Sequence, residues 1–363
     1  MTRALTLRLG AVVAALSVVA TLGATQSADA AAARRSSVNA DTTHARVKAD
    51  RDVAVTGRVR PHVARPVRVE RRIGKTWVKA AAGRSKKNGR FDIPLATDLY
   101  VGRTAYRVVA PAHKKLKRAV EPVGRINIVS TGKRSQHKYL MSSKFRWNPC
   151  QTITYRLNLA KAPASAKREV RQALQRVTAQ SGQRFRYLGK TRVVPDDDRR
   201  NPKGTDLVIA WANPKQSSWL GNTGRAGYGG AWAWRPYAKG PGYLYDGFVL
   251  LDAKLYQKFD KGFGMGKPYG YAGTRGQLLM HEIGHSMGMG HVRAKSQVMF
   301  PTMHDAKAIW GKGDAANLVN LGLGSGCLRK APPPPRSSSA RLAAPADQGG
   351  EQGVSLGRPV GMS

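Results

Sequence analysis

Residues 281–291 read HEIGHSMGMGH, a run that leaves the backbone few paths. His281 and His285 are four apart, so on a helix they project from one face, one turn above the other. That reach suits two imidazole nitrogens meeting one Zn²⁺ at about 2.0–2.1 Å. Glu282 lies beside the first ligand and can face an open coordination position as a general base. Gly288 lets the chain leave the helix through positive φ, which a residue with a side chain resists, and the turned chain can return His291 as a third ligand. Three protein ligands plus one open position describe a catalytic zinc and not a closed structural one.

An accidental histidine cluster is the alternative. The chain holds 8 His and 39 Gly in 363 residues, and four of the histidines (281, 285, 291 and 304) crowd into one short stretch. Composition alone makes the match rare, on the order of 10⁻⁵ per chain. His304 is read as a surface residue, as are the isolated His44, His62 and His113.

HExxHxxGxxH followed by Ser296-Gln297-Val298-Met299-Phe300-Pro301 resembles the metzincin metallopeptidases and their Met-containing turn. Met-Phe-Pro is similar to the Met-Tyr-Pro of matrixins. The resemblance covers roughly residues 141–328, and its specific part is 281–303. It implies a zinc endopeptidase acting on protein or peptide substrates, with His281, His285 and His291 on the metal and Glu282 as general base. It also implies Met299 as a hydrophobic floor, and Phe300, Pro301 and Met303 in the wall of the pocket for the residue after the scissile bond. Pro301 stands two positions after Met299, where other branches carry Tyr, so no tyrosine is available there to stabilise an oxyanion. Ca²⁺ sites are common among matrixins, but no acidic run has Ca-loop spacing, and Asp196-Asp197-Asp198 reads as a solvated loop.

The implied fold is α+β: a metzincin-like catalytic domain over 141–330, with a twisted mixed sheet and three helices. Its pattern is visible in the residues. Ile153, Tyr155, Leu157 and Leu159 alternate as a strand, and Ser165 can cap a helix whose apolar positions run from Ala166 to Val177 and which ends at Gly182. Strands are expected at Phe185–Tyr187, Leu207–Trp211 and Phe248–Leu251, with a short edge strand over 227–232 of the kind that binds extended substrate in matrixins. Thr274 can cap the metal helix, where Leu279, Ile283 and Met287 form a buried stripe, and Asp314 can cap a last helix through Leu321.

Between 46 and 129 the apolar period is two, as in Val67 and Val69, Phe91 and Ile93, and Tyr106 and Val108. Gly74-Lys75 reads as a tight connection and Pro94 as the mark of an edge strand. This stretch predicts a small all-β sandwich of immunoglobulin-like kind. Residues 130–140 are polar and basic, a linker, and 331–363 form a Pro-, Ser- and Gly-rich tail expected to be disordered.

Residues 1–30 look like a signal peptide. Arg3 and Arg8 precede an apolar run from Leu9 to Ala24, and Ala28-Asp29-Ala30 has the form of a cleavage site. The expectation is a secreted, extracellular protein with no transmembrane segment. An oxidising compartment then favours a disulfide between Cys150 and Cys327, the only two cysteines. No Cys lies N-terminal to Cys150, which removes the thiolate latency device of many matrixins.

Net charge is +41. Residues 31–140 carry 27 basic against 7 acidic side chains, and 141–330 carry 30 against 11, so the charge is not confined to a tail. Attraction to anionic cell-envelope polymers competes with a merely solvated basic surface. No nucleic-acid motif accompanies the charge. Two function classes therefore stand side by side: a secreted endopeptidase, or a polyanion-binding protein on a degenerate peptidase scaffold. Completeness of the site favours the first, since neither the Glu nor any His is missing.

Overall fold

The computed structural model describes residues 33–196, 200–236, 239–268 and 271–330, with the backbone of Gly353–Ser355. The expected signal peptide lies outside the described residues, as does the expected tail apart from that short strand.

Eight strands come first: β1 (Ser37–Thr42), β2 (Arg46–Lys48), β3 (Ala54–Arg60), β4 (Pro66–Ile73), β5 (Thr76–Arg84), β6 (Arg90–Pro94), β7 (Gly102–Ala110) and β8 (Ala119–Val129). They make one sheet of order β1-β3-β6 and one of order β2-β8-β7-β4-β5. The alternating residues Val55, Val59, Val67, Val69, Phe91, Ile93, Tyr106 and Val108 are buried in one shared core. Gly74-Lys75 joins β4 to β5 with Gly74 at φ 57°, and Pro94 sits on β6 at the end of its sheet. Burial of Val38 places β1, which precedes the stretch read from alternation, in the same core.

The second region runs through β9 (Lys138–Tyr139), β10 (Phe145–Arg146), β11 (Thr152–Asn158), α1 (Ala166–Ser181), β12 (Arg184–Lys190), β13 (Leu207–Ala212), β14 (Arg225–Trp234), β15 (Gly242–Asp252), α2 (Ala253–Lys258), α3 (Arg275–Ser286), β16 (Met289–Gly290) and α4 (Lys312–Leu321). Its sheet has the order β12-β11-β13-β15-β14, parallel except for antiparallel β14, and β17 (Gly353–Ser355) pairs antiparallel with β14. All six residues of β13 are buried, as an inner parallel strand covered on both faces requires. The sheet is mixed, as expected.

The helices depart from expectation in three places. There are four α-helices among the described residues, not three: Asp252 accepts the backbone N–H of Lys254 and Leu255 at 2.9 and 2.8 Å and so starts the short α2. Ser165 does not cap α1 with its side chain. At φ −73°, ψ −17° it is already helical, so its hydroxyl is not placed as an N-cap oxygen would be. Asp314 lies one turn inside α4, and its carboxylate reaches back to the N–H of Gly311, which holds the N-cap position. Gly182 ends α1 in the left-handed region and Thr274 caps α3, both as the sequence implies.

Residues 130–140 do not hang free. Ser130 Oγ donates to Trp310 O at 2.7 Å, Thr131 Oγ1 donates to Ser296 O at 2.7 Å, and β9 pairs with β16. The two regions are fastened elsewhere as well. Arg176 of α1 pairs with Asp98 at 2.6 Å, Gln180 exchanges hydrogen bonds with both backbone groups of Val101, and Val101 itself packs in the second region's core.

Candidate metal centre

The metal centre is assembled where α3 meets the turn that follows it. Every residue of α3 is buried, so its polar side chains need partners. Leu279, Ile283 and Met287 face the core as expected. His281 Nδ1 lies 2.7 Å from Val298 O, and His285 Nδ1 lies 2.8 Å from Met289 O. A carbonyl oxygen only accepts, so each Nδ1 carries the hydrogen and each Nε2 keeps a lone pair. Gly288 takes φ 98° and turns the chain, and β16 then delivers His291.

The three Nε2 atoms of His281, His285 and His291 lie 3.0 Å from one another. Between His281 and His285 that approach is not a hydrogen bond, because both nitrogens offer lone pairs. Burial also disfavours the protonated form: His281 is held well below the usual imidazole range by desolvation and then by its two neighbours. His285 is lowered to about 4 by desolvation, and His291 to about 2 by desolvation and then by His285. Three neutral imidazoles converging by their Nε2 atoms, two of them with a lone pair fixed toward the centre, fit a small borderline-soft cation. A tetrahedral zinc with bonds near 2.05 Å needs nitrogen separations of about 3.3 Å, a few tenths of an ångström from those observed.

Met299 packs against the metal helix. It is almost fully buried, and a Cβ added to Gly284, between the two helical histidines, would come within 2.6 Å of Met299 Sδ. The turn is held from two sides: Val292 N donates to Met299 O at 3.0 Å, and Asp314 accepts Val298 N–H at 2.6 Å. Desolvation pushes the Asp314 carboxyl up to about 7, although backbone donors from Val298, Gly311 and Met299 pull it the other way.

Strand β14 crosses the other side of α3. Gly229 packs on the helix backbone so closely that a Cβ there would lie 2.7 Å from the carbonyl carbon of Glu282, and one on Gly227 would lie 3.0 Å from Glu282 Oε1. The glycines that suggest an edge strand from sequence are therefore what lets that strand reach the buried Glu282.

Among the described residues, His281, His285 and His291 form the one group of at least three potential ligands close enough to share a metal ion. The matrixin sequence profile matches residues 146–317. This part of the chain is a matrixin zinc metallopeptidase domain. A comparison with curated proteins gave no match. Among solved structures, the chain is similar at 18% identity to one described as "Structural insight into host cell surface retention of a 1.5-MDa bacterial ice-binding adhesin", with a TM-score of 0.19. That likeness covers 30% of this chain and 37% of the other, so the chain spans well under half of it.

Of the other sequence candidates, Cys150 and Cys327 form a disulfide with Cα atoms 5.4 Å apart. Phe300 and Pro301 are half-buried and Met303 is buried against Gly273. His304 is half-buried, and its Nδ1 lies 3.2 Å from Gln277 Nε2 of the matrixin domain's metal helix. His44 and His62 are exposed and His113 is half-buried, and none of the three joins a ligand group among the described residues. Sequence reasoning misses the carbonyls of Val298 and Met289 that orient the ligands, and it misses Asp314's hold on the Met turn. Backbone carbonyls leave no mark in residue identity, whereas the acidic residue in α4 is visible but reads as a local cap.

Proposed function

We propose that the chain is a secreted zinc endopeptidase in which Glu282 is the general base and His281, His285 and His291 hold the metal. The observation that carries this reading is the convergence of three imidazole Nε2 atoms at 3.0 Å, with a buried carboxylate on the residue after the first of them. Zinc held there would supply Lewis acidity to a water and to the scissile carbonyl. Glu282 takes a proton from the attacking water and passes it to the departing amine. Its surroundings suit this proton transfer, since α3 fixes the backbone, Gly227 leaves room beside the carboxylate, and burial keeps bulk water away. The outer edge of β14 presents backbone donors and acceptors to an extended substrate, and the pairing of Gly353–Ser355 with that edge is antiparallel. Phe300, Pro301 and Met303 are assigned to the wall of the adjoining apolar pocket.

Secretion rests on the signal-like residues 1–30 and agrees with the disulfide. No helix among the described residues is long and apolar enough to cross a membrane. The two N-terminal sheets are read as an immunoglobulin-like sandwich over about 46–129, joined through 130–140 to the catalytic domain over 141–330 and followed by the 331–363 tail. The charge of +41 is assigned to attraction toward anionic envelope polymers, which should weaken steeply as salt shortens the Debye length.

The deciding experiment measures zinc per chain together with turnover of a casein-type substrate. One zinc, activity abolished by a chelator and restored by zinc supports this reading. A folded protein with no zinc and no turnover would leave the polyanion-binding alternative in its place.

A further inference from the structure

A cavity of about 370 Å³ opens at the junction of the two regions. Arg71 and Arg72 of β4, Arg103 of β7, Arg134 of the connecting stretch and Lys312 at the start of α4 all line it. No acidic side chain lines it, and none of these five cations is in an ion pair among the described residues.

Arg71 sets this cavity apart from an ordinary solvated basic face. It is 3% exposed, and its Nε is buried with no hydrogen-bond partner. Its remaining support is neutral: Nη1 donates to Ala179 O at 2.9 Å, and the guanidinium lies 5.1 Å from the centre of the Tyr100 ring. A buried guanidinium normally meets a carboxylate or another anion. Here no described residue supplies a counter-charge, and the cavity leaves open space beside it. The space exceeds the roughly 30 Å³ share of a water molecule many times over. It therefore has room for more than a single small ion.

We propose that this junction is an anion site for a phosphate-bearing ligand, either a soluble polyphosphate or a phosphodiester segment of a polymer. Guanidinium groups match the oxygens of a phosphate in pairs, and Lys312 adds a point charge from α4. The ligand would bridge β4 and β7 to α4, so binding would stiffen the seam between the β region and the matrixin domain. The site is independent of the peptidase reading. It narrows the diffuse attraction expected of a +41 chain to one place.

The test uses the full chain carrying Glu282→Ala, to prevent self-digestion, titrated calorimetrically at fixed ionic strength. The ligands are inorganic phosphate, tripolyphosphate and poly(glycerol phosphate). Arg103→Glu with Lys312→Glu is compared with Lys161→Glu plus Lys215→Glu, an equal change of charge at exposed residues outside the cavity. The cavity pair should weaken saturable binding about tenfold or more and the control pair less than about twofold, because only close charges act through a low-dielectric path. Arg103→Gln should lie between them, and it decides the matter if the double reversal fails to fold. Stronger cavity-dependent binding of tripolyphosphate identifies a soluble source, and stronger binding of the polymer identifies an envelope source. Equal losses in the two pairs, or no saturable binding of any of the three ligands, overturns the proposal.

Discussion

The N-terminal β region and the matrixin domain are made of similar material and do different things with it. Both are strongly basic, both bury an aliphatic core, and each holds several histidines. In the β region His44, His62 and His113 stay apart. In the matrixin domain three histidines within a short stretch meet at 3.0 Å. The difference lies in the backbone that carries them. A strand sends alternate side chains to opposite faces and spreads them along its length, whereas one helical turn followed by a sharp bend gathers them on a point. The second difference is support: two of the three metal-facing rings have an Nδ1–H held by a carbonyl, and those carbonyls come from the turn and from β16, not from the helix itself.

The largest test of this contrast is at Glu282. Glu282→Ala should keep the fold and the zinc while losing roughly 10²–10⁴ in rate, the scale of a positioned acid–base group. His285→Ala should lose the metal as well, and His62→Ala should change neither metal content nor turnover. Near-normal turnover by Glu282→Ala would falsify its assigned role, and loss of zinc from His62→Ala would break the contrast between the regions.

Next is the disulfide. Cys150 and Cys327 are 177 residues apart in sequence, so the cross-link constrains nearly the whole matrixin domain and none of the β region. In the chain-entropy view its removal costs up to about 5 kcal/mol for a loop of this length. Reduction should therefore lower the melting temperature of the catalytic domain. An unchanged thermal transition in Cys150→Ser plus Cys327→Ser protein would show that the packed core alone holds the two ends.

A third test concerns β14. Gly229→Ala places a methyl against the backbone of Glu282, where no flexible side-chain end can give way. We expect a loss of about 1–3 kcal/mol, the usual scale of overpacking, with turnover falling as β14 is pushed away from α3. Gly102→Ala in the β region has open space around it, so its cost comes only from the positive φ of 105°. Equal effects on peptidase activity from the two substitutions would mean that strand–helix contact does not position Glu282.

The smallest expected effect is a pH dependence at Asp314. Its folded pKa of about 7 lies above the ordinary value of 3.8, so the folded state binds the proton more tightly. Stability from this group therefore falls as pH rises between about 4 and 7, and is level outside that window. Buried His281, His285 and His291 without metal act in the opposite sense, because the unfolded chain takes up their protons first. Comparing wild type with Asp314→Asn isolates the carboxyl. The stability of the variant relative to wild type should rise from pH 4 to pH 8, and chemical denaturation at a series of pH values reads it. A difference independent of pH would show that the carboxyl does not titrate in that window.

Residue types at fixed spacing determined much by themselves. His281, His285 and His291 announced the metal, Gly288 announced the turn, and the alternation of Val67 with Val69 and of Phe91 with Ile93 announced strands, because helical and strand periods are local properties of the chain. What depended on distant partners could not be read this way. Ser165 looks like a cap, but whether it is one depends on backbone angles set by the preceding turn at Pro163. Asp314 reads as a helix-capping residue, yet folding brings it to Val298, and there it steadies the turn beneath the zinc ligands. Residues 130–140 read as a linker because they are polar, and tertiary contact with Ser296 and Trp310 fixes them. Arg71 is one basic residue among many in the sequence, and only burial leaves its guanidinium at the junction without a carboxylate. The sequence carries the pattern that one element imposes on itself. Only the tertiary structure decides which charges are buried together and which carbonyls face which rings, since those energies arise between groups far apart in the chain.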